Sequence, residues 1–296
     1  VTQLDNWALQ SNLGSHDVCN FIILTNNPPT VSSNDVQPIP NVIPNSGSTK
    51  DVIFNFTATD NDGVSNLDDT TAQARFSKLN EPTRGAGNNC IPVSNSGNRR
   101  TYQCTVAMQF YDADGIWNVN VSVKDLNGNY VENTATTFSM ELLTDINLTS
   151  FNVNFPNTNA GNTNISAILP TIVQNRGNDQ GSIKIRGHNL HGISNSQQFI
   201  DVSFFKADSS MSVCSVGTFL ANNTISDISG TLLQRGASAT EDVYYCLTSV
   251  PNVSPQQYRT LPGFGWTVSL SVGIFIFIKR KTMNSNIGLV ENLYSP

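Results

Sequence analysis

Alternation at every second residue dominates the chain. In DVIFNFTAT (Asp51–Thr59), Val52, Phe54, Phe56 and Ala58 fall on one side, and Ile53, Asn55 and Thr57 on the other. IWNVNVSVK (Ile116–Lys124) is cleaner, with Trp117, Val119, Val121 and Val123 opposing Asn118, Asn120, Ser122 and Lys124. A strand points successive side chains to opposite faces, so each segment predicts a β-strand with one buried and one wet face. Further strands are predicted over Ala72–Leu79, Thr101–Gln109, Thr134–Leu142, Ser182–Arg186, Phe199–Phe205 and Asp242–Ser249. Turn-forming runs such as NSGST, DNDG, LNGN and PNTNAGNTN separate them. No long amphipathic helical period competes. Short strands at this spacing predict an all-β chain built from β-sandwiches.

The stretch WTVSLSVGIFIFIKRK (Trp266–Lys281) carries the pattern furthest. Trp266, Val268, Leu270, Val272, Ile274, Ile276 and Ile278 recur at every second position. On a helix, at about 100° per residue, they would scatter around the cylinder. On a strand they share one face, over roughly 40 Å at about 3.3 Å per residue. Phe275 and Phe277 make the far half apolar on both faces, which suits a strand covered on both sides and is an aggregation hazard if bare. The expected cover is another copy of the chain, by β-strand addition or donation. The expected interface is Val268, Leu270, Val272, Ile274, Phe275, Ile276, Phe277 and Ile278. A second contact is expected at Phe21, Ile22, Ile23 and Leu24 of VCNFIILTN (Val18–Asn26). The competing reading is membrane contact through residues 261–278, which are uncharged and followed by Lys279, Arg280 and Lys281. Against it stand Pro262, three glycines, and a length at the lower limit of a span.

Composition moves the chain outside the cell. Only 13% of its 296 residues are charged, well below the usual quarter. Asn, Ser and Thr replace Lys and Glu as surface residues. The net charge of −6 argues against a nucleic-acid partner, which needs basic stripes. The chain opens at Val1 without a charged and apolar leader, as a mature protein does once its signal is removed. A chain trimmed at its start reads the same way. Six N-glycosylation sequons occur, at Asn55, Asn120, Asn147, Asn164, Asn222 and Asn252. Asn55 and Asn120 fall on the polar face of their strands, where a glycan fits. None of the five cysteines has metal-ligand spacing. Cys90 with Cys104, and Cys214 with Cys246, are placed to close disulfides within one region each, as in an oxidising exterior. Cys19 is left over, either a free thiol or a link to another chain.

The punctuation divides the chain into an N-terminal strand-containing extension (1–27), a first sandwich (28–144), a second (145–272) and a C-terminal apolar strand and tail (273–296). The paired prolines after Asn26 and Asn27 mark the opening of the first. PPTV (Pro28–Val31), FTATDNDG (Phe56–Gly63) and DADGIWNVNVSVKDLNGN (Asp112–Asn129) resemble the Ig-like and PKD-like domains of prokaryotic, especially archaeal, S-layer-like cell-surface proteins. IVQNRGNDQGSIKIRG (Ile172–Gly187) and DVYYCLTSVP (Asp242–Pro251) are similar to the same group. The resemblance implies two tandem Ig-like sandwiches. In such a sandwich the DNDG and DLNG turns lie at one end. Asp60, Asp62, Asp125 and Asn127 would then converge on Ca²⁺, a cation that takes oxygen ligands. Alternatively, each caps its own turn. Asp112 and Asp114 belong to an opposite-end turn.

No catalytic motif occurs, and His16, His188 and His191 assemble no metal site by spacing. The expected function is a non-enzymatic structural subunit of an extracellular, cell-surface polymer, with other copies of itself as partners and N-glycans as decoration. The alternative is a membrane-anchored surface adhesin that binds glycan or host protein.

Overall fold

The computed structural model describes residues 26–150, 152–262, 265–271 and 281–289. Cys19, Phe21–Leu24, Val272 and Ile274–Ile278 lie outside the described residues. Within them the chain is nearly all β, as expected.

The first sandwich has six strands: β1 (Lys50–Thr59), β2 (Leu67–Ser77), β3 (Cys90–Ser96), β4 (Arg99–Met108), β5 (Gly115–Asp125) and β6 (Tyr130–Met140). One sheet has the order β1-β4-β3 and the other β2-β5-β6. The leading stretch lies beside β1 at Thr30–Thr59 and Val36–Phe56. It then crosses over to run parallel to β6 at Val42–Met140. Counting that stretch as the first strand, the sheets have the A-B-E-D and C-F-G orders of an Ig-like sandwich. Alternation builds the core. Val52, Phe54, Phe56 and Ala58 of β1 and Trp117, Val119, Val121 and Val123 of β5 are all buried between the sheets.

The second sandwich is made of β7 (Ile146–Leu148), β8 (Asn152–Thr158), β9 (Thr163–Ser166), β10 (Thr171–Asn175), β11 (Ser182–Arg186), β12 (Leu190–Gly192), β13 (Phe199–Ile200), β14 (Phe205–Asp208), β15 (Thr218–Phe219), β16 (Ile225–Asp227), β17 (Thr240–Ser249), β18 (Gln257–Arg259), β19 (Trp266–Ser271) and β20 (Lys281–Leu289). One sheet runs β15-β14-β17-β10-β7, with β9 also on β17. The other runs β13-β12-β18-β20-β19-β11-β16, with β8 also on β20. Between them lies a separate core centred on Trp266. Its ring packs edge-on to Phe205 at 5.4 Å and lies 5.7 Å from Tyr245, and its indole N–H donates to the His188 carbonyl at 2.8 Å.

Three expectations change here. Val268 and Leu270 are buried in their own core, and β19 pairs with β11 along its length. These two residues therefore have no free face for another copy. The same pairing makes 266–271 a strand, so the described middle of the candidate membrane span, residues 261–278, is sheet. Among the described residues no helix is long and apolar enough to cross a membrane. The strand expected over Phe199–Phe205 is broken by a 3-10 turn at Val202–Phe204, because the Asp201 carboxylate caps it by accepting from the Ser203 amide at 2.8 Å.

The two cores are joined by a stitched linker. The turn 175–179 wraps the chain at 141–145. Asn178 accepts from the Leu143 amide at 2.6 Å, donates its own amide to the Leu143 carbonyl at 3.0 Å and donates its side-chain amide to the Glu141 carbonyl at 2.9 Å. Thr144 donates to Asp179 at 2.6 Å. Ser46 bonds to Asp145, and Arg176 donates to the Ser46 carbonyl at 3.1 Å. On a second strut, Arg235 pairs with Glu81 at 2.5 Å and donates to the Tyr111 carbonyl at 3.2 Å. Gly177 is required by close approach, since a Cβ there would lie 1.9 Å from the Leu143 carbonyl oxygen. Gly177→Ala is expected to loosen the linker at a cost of about 1–3 kcal/mol, as overpacking does. Small-angle scattering would show a broader distribution of long distances, and limited proteolysis would show faster cleavage near 141–146.

Candidate functional site

The end of the first sandwich away from this linker holds a polar network. It forms because the turn after β1 and the turn between β5 and β6 meet where the chain comes in at Asn26 and Asn27. Asp60 is fully buried. One of its oxygens accepts from the Asp62 amide at 2.8 Å and the other from Asn66 at 3.1 Å. Asn66 also donates to Asn26 at 2.9 Å, and Asn26 donates to Asp125 at 2.7 Å. Asp125, also buried, accepts from the Asn127 and Asn129 backbone amides at 3.0 and 2.8 Å and from the Asn129 side chain at 2.8 Å. Asp62 takes both the backbone and side-chain amides of Asn27, at 2.5 and 3.0 Å.

Thus Asp60, Asp62 and Asp125 share one network, linked by Asn26, Asn27 and Asn66, while Asn127 joins through its backbone. Among the described residues no three acidic, His or Cys side chains gather as a metal-binding group. As arranged, the carboxylates hold amide donors and anchor the incoming chain. Sequence reasoning missed Asn26, Asn66 and Asn129, whose only signal was their place beside the turns.

Burial works against the charge of Asp125, but the bonds from Asn26, Asn129 and the two backbone amides outweigh it and hold its carboxyl below the usual range. A carboxyl depressed in the folded state adds stability above its unfolded pKa, and that stability is lost as pH falls through the folded value. The first sandwich is therefore expected to lose thermal stability on acidification from about pH 5 to about pH 2, and Asp125→Asn to flatten that slope. Near-UV melts across this range check it.

In the second sandwich, His188, Asn189, His191, Asn222, Asn223 and Leu261 line a surface depression of about 390 Å³. The two histidines, unremarkable by spacing, share it because Gly187 bridges to Asn222 across the loops. Burial, then the nearby Arg186 charge, lowers the His188 pKa. Asn189 accepts from the Val202 amide at 2.9 Å and its own amide donates to Asn222 at 3.4 Å. The lining offers neutral donors and acceptors beside one apolar side chain.

The disulfides join Cys90 on β3 to Cys104 on β4, and Cys214 on the short helix Val213–Val216 to Cys246 on β17. Of the sequons, Asn164, Asn222 and Asn252 are exposed and Asn55, Asn120 and Asn147 are partly buried. Asn120 differs from the open polar face expected of it, because its amide donates to Glu132 and the Ser122 of its sequon is buried. The Asn55 side-chain oxygen is also buried. Asp112 anchors the opposite-end turn by accepting from the Gln109 amide at 2.7 Å and pairing with Arg84.

No family model and no curated protein matches the chain. Among solved structures it is similar to CfaE, the adhesive subunit of the CFA/I fimbria of enterotoxigenic Escherichia coli, at 10% identity over 88% of this chain and 86% of that one, with a TM-score of 0.35. The CupB6 tip adhesin from Pseudomonas aeruginosa is similar at 6% identity over 90% and 98%, with a TM-score of 0.28. The paired Ig domains of DIP-gamma follow at 6% over 90% and 99%, with a TM-score of 0.29. Scores this low carry no weight for function, and the Ig-like assignment stands on the strand order of the first sandwich.

Proposed function

We propose that the chain is a non-enzymatic structural subunit of an extracellular polymer, an S-layer-like cell-surface lattice or a filament, assembled by β-strand addition or donation between subunits. Residues 28–144 and 145–272 are its two Ig-like units, the second completed by residues 281–289. The stitched linker supports this reading most, because a repeating assembly needs subunits of fixed shape, and linkers between independent domains are normally loose. The two disulfides and the low surface charge fit an oxidising exterior. The apolar residues Ile274–Ile278 remain the proposed contact between copies. The test is negative-stain microscopy and sedimentation of the purified intact chain beside a full-length variant with Ile274, Ile276 and Ile278 replaced by Ser, which keeps residues 281–289. Assembly by the intact chain alone supports the reading, and equal assembly by both removes the strand from it.

A second reading, a surface adhesin, is favoured by the depression at His188 and Asn222. Amides and imidazoles beside an apolar patch suit a hydroxyl-rich ligand such as a glycan. Binding on a glycan array, lost in His191→Ala with the melting temperature kept, supports it, and no binding on the array removes it.

A further inference from the structure

The last described strand holds the second sandwich together in an unusual way. β20 pairs with three strands. It meets β18 at Gln257–Gly288, Tyr258–Ile287 and Arg259–Asn286, and β19 at Trp266–Met283, Thr267–Thr282 and Val268–Lys281. It also runs parallel to β8 from Asn152–Asn284 to Thr158–Leu289. Without β20, the sheet falls into β13-β12-β18, β19-β11-β16 and β8 alone. The body of the molecule is thus a slot, open along three strand edges, into which residues 281–289 fit.

The connection does not fix which copy's strand fills that slot. Val268 faces Lys281, leaving 269–280 between paired positions, where a β-hairpin loop needs about 2–5 residues. A parallel neighbour such as β8 cannot be set by a hairpin at all. Residues 272–280 are enough chain to reach roughly 30 Å when extended, so β20 can leave its own body and lie in an adjacent one.

We propose that β20 is exchanged between copies: each chain places residues 281–289 in the β8–β18–β19 slot of the next, and the slot it vacates is filled by the copy before. The pairings are the same in the closed and exchanged forms, so exchange costs little. Because each copy gives to one neighbour and takes from another, the contact is head-to-tail and extends as an open chain unless the rotation closes a ring. The occupant is a second copy because only a strand of this sequence brings the same register to all three edges. The exchange rests on the assembly reading above and gives it a partner segment.

The test uses full-length chain carrying Cys19→Ser. Thr267→Cys is made in one preparation and Thr282→Cys in another, and the two are mixed under assembling conditions and then oxidised. These positions face each other across β19 and β20, so a mixed disulfide forms only when β20 of one copy sits beside β19 of the other. The expected result is a covalent dimer on a non-reducing gel, absent from either preparation alone and lost on reduction. Arg259→Cys with Asn286→Cys tests the β18 edge independently, should the first pair disturb folding. Micrographs that show assembly while both mixtures stay monomeric on the gel overturn the exchange and leave the assembly reading in place. Micrographs with no assembly overturn both.

Discussion

Ending the chain at Ser271 is expected to abolish the fold of the second sandwich while leaving the first intact. The truncation unpairs β18, β19 and β8 together along edges that lie inside the sheet. Each buried backbone group left unmatched costs about 1–3 kcal/mol, and a domain is stable by only about 5–15 kcal/mol, so a few such groups suffice. The measurement is fluorescence of Trp266 in chains whose Trp7 and Trp117 are replaced by Phe, beside calorimetry of the wild-type background. The truncated chain should give solvent-exposed emission from Trp266 and one unfolding transition, assigned to the first sandwich by its retained near-UV signal. Buried emission and two transitions would mean that β20 is an accessory to the sheet.

The second large effect is expected from Trp266→Ala. The side chain is fully buried against Phe205 and Tyr245. Removing a buried aromatic to Ala costs about 3–5 kcal/mol. The indole also gives up its hydrogen bond to the His188 carbonyl. A fall of roughly 10–20 °C in the melting temperature of the second sandwich is expected, with the first unchanged. Trp266→Phe should recover more than half of the loss, because it restores the ring and not the donor. A fall of under about 3 °C for the alanine variant would place the centre of that core elsewhere.

The first sandwich was largely legible in the sequence and the second was not, for a physical reason. β1 and β5 are long enough for period-two alternation to show, and their inward residues are the ones read from the pattern. The second sandwich uses strands as short as β13 and β18, in which alternation has no length to express itself. β20, KTMNSNIGL, carries only a partial alternation, with Met283, Ile287 and Leu289 at alternate positions and Ser285 interrupting them. It is a strand because three edges need a partner, a long-range cause that local sequence does not carry. β19 shows the converse. Its pattern gave the strand and its buried face correctly, but the same pattern is produced by pairing within the chain or between chains. The polar network was half legible. The aspartates stood out in their turns, while Asn26, Asn66 and Asn129 were hidden in a chain where Asn is everywhere. The linker clamp at 175–179 was not legible, because it depends on Asn178 meeting the segment at 141–143, far away in sequence.

The most direct test of the central claim is electron microscopy of the chain taken from its native surface, without denaturant. A lattice or filament whose repeat matches one stitched tandem is the expected result. A field of separate monomers, unchanged as concentration rises, would contradict it.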